Sequence, residues 1–374
     1  MPAVRTIGIV GSGAGGLTLA ALLADAGLEV EVLEKADGPS TLGSGITLQG
    51  NALRVLSGLG LWPRLLEKGY PFDTLGIRAP RPEARVLAVL DDVRAGGEDL
   101  PATLGMPRAE LAAIVRERAE RAGAVVRWGT AVTGLEQSSD AVTVTTAAGQ
   151  RLSYDLLVGA DGLNSLVRTA IGAEDRPVRT GMGIWRAFVP RPEEVTRTDL
   201  IYGGPAYIAG YCPTGPDTMY AYLVEDAQER DVHDGPRIMA GLAAAYGGPW
   251  RSIRADLDEH ANVNYTHFTA HLVEGPWHRG RVVLIGDAVH SCPPTIAQGA
   301  AMAVEDAAVL ADEIVRAGGA DDAVLSRYRQ RRLPRARTVV EASVQLGQWM
   351  LEGRRDADVP GLMQRVAETV KVPV

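Results

Sequence analysis

Gly11, Gly13 and Gly16 stand at G-x-G-x-x-G spacing within IGIVGSGAGGLTLAALLADAGLEVEVLE, with Gly15 among them and Glu34 18 positions after Gly16. Residues of these types at this spacing can hold a dinucleotide. Gly11 can take the angles of a tight turn, Gly13 leaves the main chain open to a pyrophosphate, and Gly16 lets helix and strand pack closely. Free N–H groups and the positive end of the next helix then face the phosphates. Glu34 can accept hydrogen bonds from a ribose diol and disfavours a 2′-phosphate, so FAD or NAD is expected here rather than NADP.

The surrounding pattern supplies the elements that such a loop needs. Ile7, Ile9 and Val10 read as a strand, Leu17, Ala20, Ala21, Leu23 and Ala24 as a helix ended by Gly27, and Val30, Val32 and Leu33 as the next strand. Strand, glycine turn, helix, strand and acid together are the context that gives the motif meaning.

Two later stretches each carry an acid on a buried strand into a turn. Asp155–Arg168, DLLVGADGLNSLVR, delivers Asp161, and Gly280–Pro294, GRVVLIGDAVHSCPP, delivers Asp287. A buried strand that ends in an unpaired acid needs a partner, which singles out Asp287; Asp161 can equally cap its turn. The chain continues through Ala297, Gln298, Gly299, Ala300 and Ala301 into a helix whose bare N–H groups can stabilise negative charge on a ring.

With these three motifs in this order, the chain resembles the FAD-dependent aromatic hydroxylases, the single-component flavin monooxygenases related to para-hydroxybenzoate, salicylate and urate hydroxylases. The resemblance spans nearly the whole chain. It implies non-covalent FAD, NAD(P)H as a transient electron donor, and transfer of oxygen from O2 to a small aromatic or heteroaromatic substrate through a flavin C4a-hydroperoxide. It places Gly15 at the pyrophosphate, Glu34 and Lys35 at the adenosine ribose, and Val132 against adenine. Thr47 lies beside the flavin and Arg108 near the phosphate or ribityl region. Asp287 holds the ribityl chain, Ala297–Ala301 wrap the flavin edge, and Asp161 serves FAD indirectly. A dehydrogenase, an epoxidase or a non-enzymatic redox sensor are the competing readings.

The implied fold is α/β: a Rossmann-like FAD-binding domain with an interleaved, mostly β substrate domain and a helical tail. Residues 1–70, 101–172 and 277–330 are assigned to FAD, 71–100 and 173–276 to substrate, and 331–374 to a C-terminal helical segment. Short strands are expected near Ala84–Leu90, Val142–Thr146, Met219–Val224 and Asn262–Val273, and helices after Pro107 and from Asp322 onward, with Pro334 a kink or boundary.

The substrate residues are harder to read. Tyr202, Tyr207, Tyr211, Tyr220 and Tyr222 are half of the ten tyrosines within 21 positions, which suits either an aromatic pocket or simple strand preference. The pocket candidates are Arg186, Tyr211, Tyr220, Tyr222 and Pro293, and no catalytic base is identified. His290 reads as structural support and Cys292 as a packed thiol. His267 and His271 lack the acid of a helical metal motif, so no metal is expected.

At 374 residues, 46% of them hydrophobic, the chain can bury a sizeable core. Net charge −8 argues against nucleic acid or an anionic membrane as the main partner. Two cysteines fit a reducing cytoplasm, and the opening MPAVRT leads straight into a strand, so no secretory leader is expected. A monomer or homodimer is expected. Only Lys35, Lys68 and Lys371 of the 38 basic residues are lysine, so arginine clusters are discounted; Arg327, Arg329, Arg331, Arg332, Arg335 and Arg337 read most simply as a solvated helix face, or alternatively as the answer to the acidic body of the same protein or of a dimer mate.

Overall fold

The computed structural model describes residues 4–39, 44–80 and 82–374. Gly43, read as part of a second glycine-rich segment, and Met1-Pro2-Ala3 of the opening strand lead lie outside the described residues.

The fold is α/β, as expected. A six-stranded sheet runs in the order His278–Arg279, Val282–Leu284, Leu156–Gly159, Thr6–Val10, Glu29–Leu33, Val125–Arg127, parallel except for its first, short edge strand. Ile7, Ile9, Leu156–Val158 and Val282–Leu284 have no exposed surface. They read as continuous apolar runs because a parallel strand is covered on both faces.

Ten helices occur among the described residues: α1 (Ala14–Asp25), α2 (Gly50–Gly58), α3 (Trp62–Lys68), α4 (Arg108–Ala122), α5 (Leu166–Ala170), α6 (Gly235–Ala243), α7 (Trp250–Ala255), α8 (Gly299–Ala317), α9 (Asp322–Leu351) and α10 (Val359–Lys371). Helix α1 packs between α4 and α8. Helix α4 ends where Gly123 takes a left-handed φ of 106°, as its glycine suggested. Helix α9 runs unbroken through Pro334, so that proline marks no boundary.

An eight-stranded sheet, antiparallel except for one pair, draws Thr74–Arg78 and Val86–Asp91 together with Val178–Pro190, Thr198–Tyr202, Ile208–Pro213, Thr218–Asp226, Val263–Leu272 and His290–Ser291. Its period of two decides what reaches the site. Trp185, Ala187, Ala209, Tyr211, Ala221 and Leu223 face a core closed by α6 and α7. Ile184, Arg186, Ile208, Tyr220, Tyr222 and Val224 face the opposite way, into a cavity. The two helices α6 and α7 were not expected within this region.

Among the described residues no helix is long and apolar enough to cross a membrane.

Candidate active site

A cavity of about 1050 Å³ opens between the two large sheets. Gly13, Gly15, Gly16, Thr47, Arg108, Asp287, Ala297, Gln298, Gly299 and Ala300 line one side, and Arg186, Tyr220 and Tyr222 the other. Residues separated by up to nearly three hundred positions thus converge on one space.

The glycines divide the work as their spacing suggested. Gly11 has φ 106°, and a Cβ there would meet the Ala160 carbonyl. A Cβ on Gly16 would collide with the Gly11 carbonyl oxygen, while one on Gly15 would lie 3.0 Å from the Ala303 carbonyl oxygen of α8. Only Gly13 would put a Cβ into open space. The first intrahelical bond of α1 runs from Leu17 N–H to Gly13 C=O, leaving the earlier N–H groups of the helix as donors. This cradle fits a pyrophosphate.

Two substitutions separate these roles. Gly16→Ala should destabilise the apoprotein by about 1–3 kcal/mol, because backbone must shift. Gly13→Ala should leave the apoprotein melting temperature unchanged and weaken FAD about tenfold, by the same overpacking cost levied on the ligand. Thermal melting and FAD titration of both variants check this.

Glu34 reaches back to the glycine loop. Its Oε2 accepts from Ser12 N (2.9 Å) and Ser12 Oγ (2.7 Å), and its Oε1 from Ala36 N (3.0 Å). Burial opposes its charge, but the hydrogen bonds from Ala36 and Ser12 outweigh burial and hold its carboxyl below the ordinary value. It stays an ionised acceptor beside the loop, although it does not line the cavity. Lys35 is exposed and Val132 half-buried; neither lines the cavity.

Asp161 takes the capping role that its turn allowed. Its Oδ1 accepts from Ser165 Oγ (2.5 Å) and its Oδ2 from Leu166 N (2.8 Å) and Val167 N (3.1 Å), so both oxygens serve the start of α5. Its neighbours Ala160, Gly162 and Leu163 reach the cavity instead. Three further site residues are displaced. Ala301 packs in the core at the first turn of α8. Pro293 is buried off the cavity, and Pro294 lines it. Tyr211 lies on the far face of the sheet, where its hydroxyl donates to Asp199 Oδ2 (2.9 Å). Tyr202 and Tyr207 also miss the cavity, Tyr207 donating to Asp226 (2.8 Å).

Asp287 stands out. Its strand is buried, but the side chain itself is exposed to the cavity and has no hydrogen-bond partner among the described residues. Desolvation by the surrounding protein raises its carboxyl above the ordinary value, against the pull of His290 and Arg108. An acceptor set this way suits polyol hydroxyls.

What holds Asp287 there was not foreseen. Asp306 of α8, fully buried, accepts from Gly286 N (2.8 Å) and from His290 Nε2 (2.7 Å) on one oxygen, clasping both ends of the turn. Its other oxygen takes Arg332 Nε of α9 (2.6 Å). Arg332, also without exposed surface, binds Glu305 Oε2 (2.8 Å) through Nη1, and Arg335 binds Glu305 Oε1 (2.6 Å). Arg332 and Arg335 are therefore not a solvated face; they neutralise two buried acids. Those acids share α8's core side with Met302, Val309 and Glu313, a helical spacing that could have exposed them. His290 is structural, as read.

Thr47 Oγ1 lies 3.3 Å from Tyr220 OH and 3.7 Å from Cys212 Sγ. Asn51 Nδ2 donates to Gln298 Oε1 (3.1 Å), fixing that amide at the N-terminus of α8. The first intrahelical bond of α8 comes from Met302 N, so Gly299 and Ala300 present free N–H groups toward the cavity. Cys292 is half-buried and lines the cavity rather than lying within the core, and burial pushes its thiol up to about 12, so it stays protonated. His271 binds Ser291 Oγ (2.8 Å) and His267 faces the Gln228 carbonyl (3.1 Å); among the described residues no metal-ligating cluster forms.

The family model described as FAD binding domain matches residues 4–343. The chain is 31% identical to the aurachin C monooxygenase/isomerase of Stigmatella aurantiaca, over 92% of this chain and 90% of that protein. It is 31% identical to the 3-amino-4-hydroxybenzoate 2-monooxygenase of Streptomyces cremeus, over 89% and 84%. The structure of Klebsiella pneumoniae HpxO complexed with FAD and uric acid superposes with a TM-score of 0.80 at 23% identity, covering 98% of this chain and 92% of that one, a likeness of fold. The match takes in every motif that lines the cavity, and the chain belongs to the FAD binding domain family, among its FAD-dependent monooxygenases.

Proposed function

We propose that the protein uses NAD(P)H and O2 to hydroxylate a small aromatic or heteroaromatic compound that carries an acidic or anionic oxygen. One observation carries the substrate half of this reading. Arg186 projects into the cavity with Thr266 Oγ1 as its hydrogen-bond partner (2.7 Å) and no carboxylate paired to it among the described residues. Burial disfavours its charge and lowers its pKa from the ordinary value, yet a guanidinium stays protonated. A desolvated cation of this kind is completed by a ligand anion.

When bound, FAD reduced by the nicotinamide supplies, with O2, one oxygen atom to the ring, the other leaving as water. The protein's part is positioning. With FAD bound, Asp287 would accept hydrogen bonds from ribityl hydroxyls, the free N–H groups at the start of α8 would stabilise charge on the flavin, and Gly13–Gly16 would hold the pyrophosphate. Tyr222 lies opposite Arg186 on the neighbouring strand, with Tyr220 two residues away on the same face. Burial pushes the Tyr220 hydroxyl up to about 12 and Tyr222 well above its ordinary value, so both remain protonated donors for a substrate oxygen. In this reading residues 1–70, 101–172 and 277–330 serve FAD, 71–100 and 173–276 face substrate, and 331–374 buttress α8, in a cytoplasmic monomer or homodimer.

Arg186→Met should weaken an anionic aromatic ligand about tenfold to a hundredfold, the value of a charge-assisted hydrogen bond, without loss of FAD. Oxygen-electrode traces supply the functional test. NAD(P)H-driven O2 uptake should rise when a hydroxylated aromatic acid is added; uptake indifferent to every aromatic compound would refute the hydroxylase reading.

A further inference from the structure

We infer that the ring substrate bears an apolar substituent, such as an alkyl chain, held by the strand Val86–Asp91 and the C-terminal helix α10. The inference rests on the monooxygenase reading above and specifies its substrate class.

The cavity lining is uneven, and the stretch that carries its aliphatic side chains also carries Asp91, Asp92 and Gln364. Arg186, Tyr220 and Tyr222 bring polar groups to it from the large sheet. Among the aliphatic lining residues, Leu90 and Val93 come from the edge of that sheet and Met363 from α10. Leu90 is 50% exposed, Val93 36% and Met363 39% although all three line the cavity. Val86, Leu87 and Val89 of the same strand are exposed as well but do not line the cavity, so it is their place in the lining, shared with Met363, that singles out Leu90 and Val93.

Both elements bring aliphatic side chains to the cavity. Leu90 sits directly opposite Leu75 in the strand pair, and both reach the cavity together with Phe72. On α10, Met363, Val366, Ala367 and Val370 recur at three- and four-residue intervals, so one face of the helix lines the same cavity. That helix is pinned at its far end. Arg54 donates to the Lys371 (3.1 Å) and Val370 (3.2 Å) carbonyls, and Arg335 to the Val372 carbonyl (2.6 Å). Met363, seven residues before Val370, lies at the end of this face away from those anchors.

The residues assigned to FAD, namely Gly13–Gly16, Thr47, Arg108, Asp287 and Ala297–Ala300, come from elements other than Val86–Asp91 and α10, which leaves those two to the substrate. A head anchored at Arg186 directs whatever it carries toward the aliphatic side chains of those two elements. Leu90, Val93 and Met363 are then specificity-determining residues.

The test compares resorcinol with 4-hexylresorcinol on FAD-loaded protein, reading dissociation constants from the flavin absorbance. Because each buried methylene contributes about 0.8 kcal/mol, the alkylated ring should bind at least about thirtyfold more tightly. In the double variant Leu90→Asn, Met363→Gln that preference should fall to about threefold or less. Leu87→Asn, an exposed change on the opposite face of the same strand, should preserve it. A wild-type preference below threefold, no binding of either ring, or a preference that survives the double variant would overturn the inference. Failure of the underlying reading shows separately, as tight alkyl-selective binding with no ligand-stimulated O2 uptake.

Discussion

Replacing Arg332 by methionine is expected to cost about 3–5 kcal/mol of folding stability, the usual result of removing one partner from a buried ionic cluster. The side chain joins Asp306 and Glu305, neither with exposed surface, and donates to the Met302 carbonyl (3.1 Å). Methionine fills much of the volume and leaves two adjacent buried carboxylates without their main counter-charge. Arg332→Lys keeps the charge but not the fork of donors, and should lose less. Urea unfolding of the two variants measures this; a loss below about 1 kcal/mol in Arg332→Met would remove the cluster from the account.

The same cluster predicts a pH dependence. Burial opposes the charge on Asp306, but His290 and Arg332 overcome it and hold its carboxyl below the ordinary value. A carboxyl depressed in the folded state stabilises fully above its unfolded pKa of about 3.9 and ceases to do so as pH falls through the folded value. The wild type should therefore keep this contribution at neutral pH and shed it only in acid. Arg332→Met should lose that acid limb of the stability profile.

Replacing Asp287 by alanine is expected to have the largest effect on cofactor. Two hydrogen bonds to a charged acceptor, at about 1.5–3 kcal/mol each, would be lost, and FAD should bind at least about a hundredfold more weakly. The apoprotein should not suffer. Asp287 has a raised folded pKa, so whatever it contributes to stability is present below the unfolded value and lost as pH rises through the folded one. At neutral pH the apo form of Asp287→Ala or Asp287→Asn should therefore be as stable as wild type or slightly more so. Unchanged FAD retention would contradict the assigned role.

The cofactor half of the site was legible because its motifs are local. Gly11–Gly16 carry a turn, a close approach and an open edge within six residues, and the apolar run before each aspartate announces a buried strand. Asp161 and Asp287 look alike in this respect. Their partners set them apart. Ser165 and two backbone N–H groups claim Asp161, whereas the turn that holds Asp287 gives its donors to Asp306. That distinction lies in tertiary contacts, not in spacing.

The substrate half depends on register between strands. Tyr220 and Tyr222 share a face, as their separation of two dictates, but whether Tyr211 joins them depends on its pairing with Ala221 rather than with Tyr220 or Tyr222. A one-residue difference sends it to the opposite core. For a related reason the arginine run left two readings open, and for Arg332 and Arg335 the pairing with acids of the same protein holds. Composition argued for a solvated face, while the acids that Arg332 and Arg335 neutralise lie on another helix about thirty residues away. Helix α10 carries no motif, and only its packing over the cavity shows that it forms a wall.

The most direct measurement is the origin of the oxygen in the product. The FAD-loaded protein, supplied with NAD(P)H and an aromatic substrate under ¹⁸O-labelled O2, should yield a hydroxylated ring carrying one labelled oxygen atom. Label arriving from water instead, or O2 consumed only to hydrogen peroxide with the ring unchanged across a broad panel, would contradict the account.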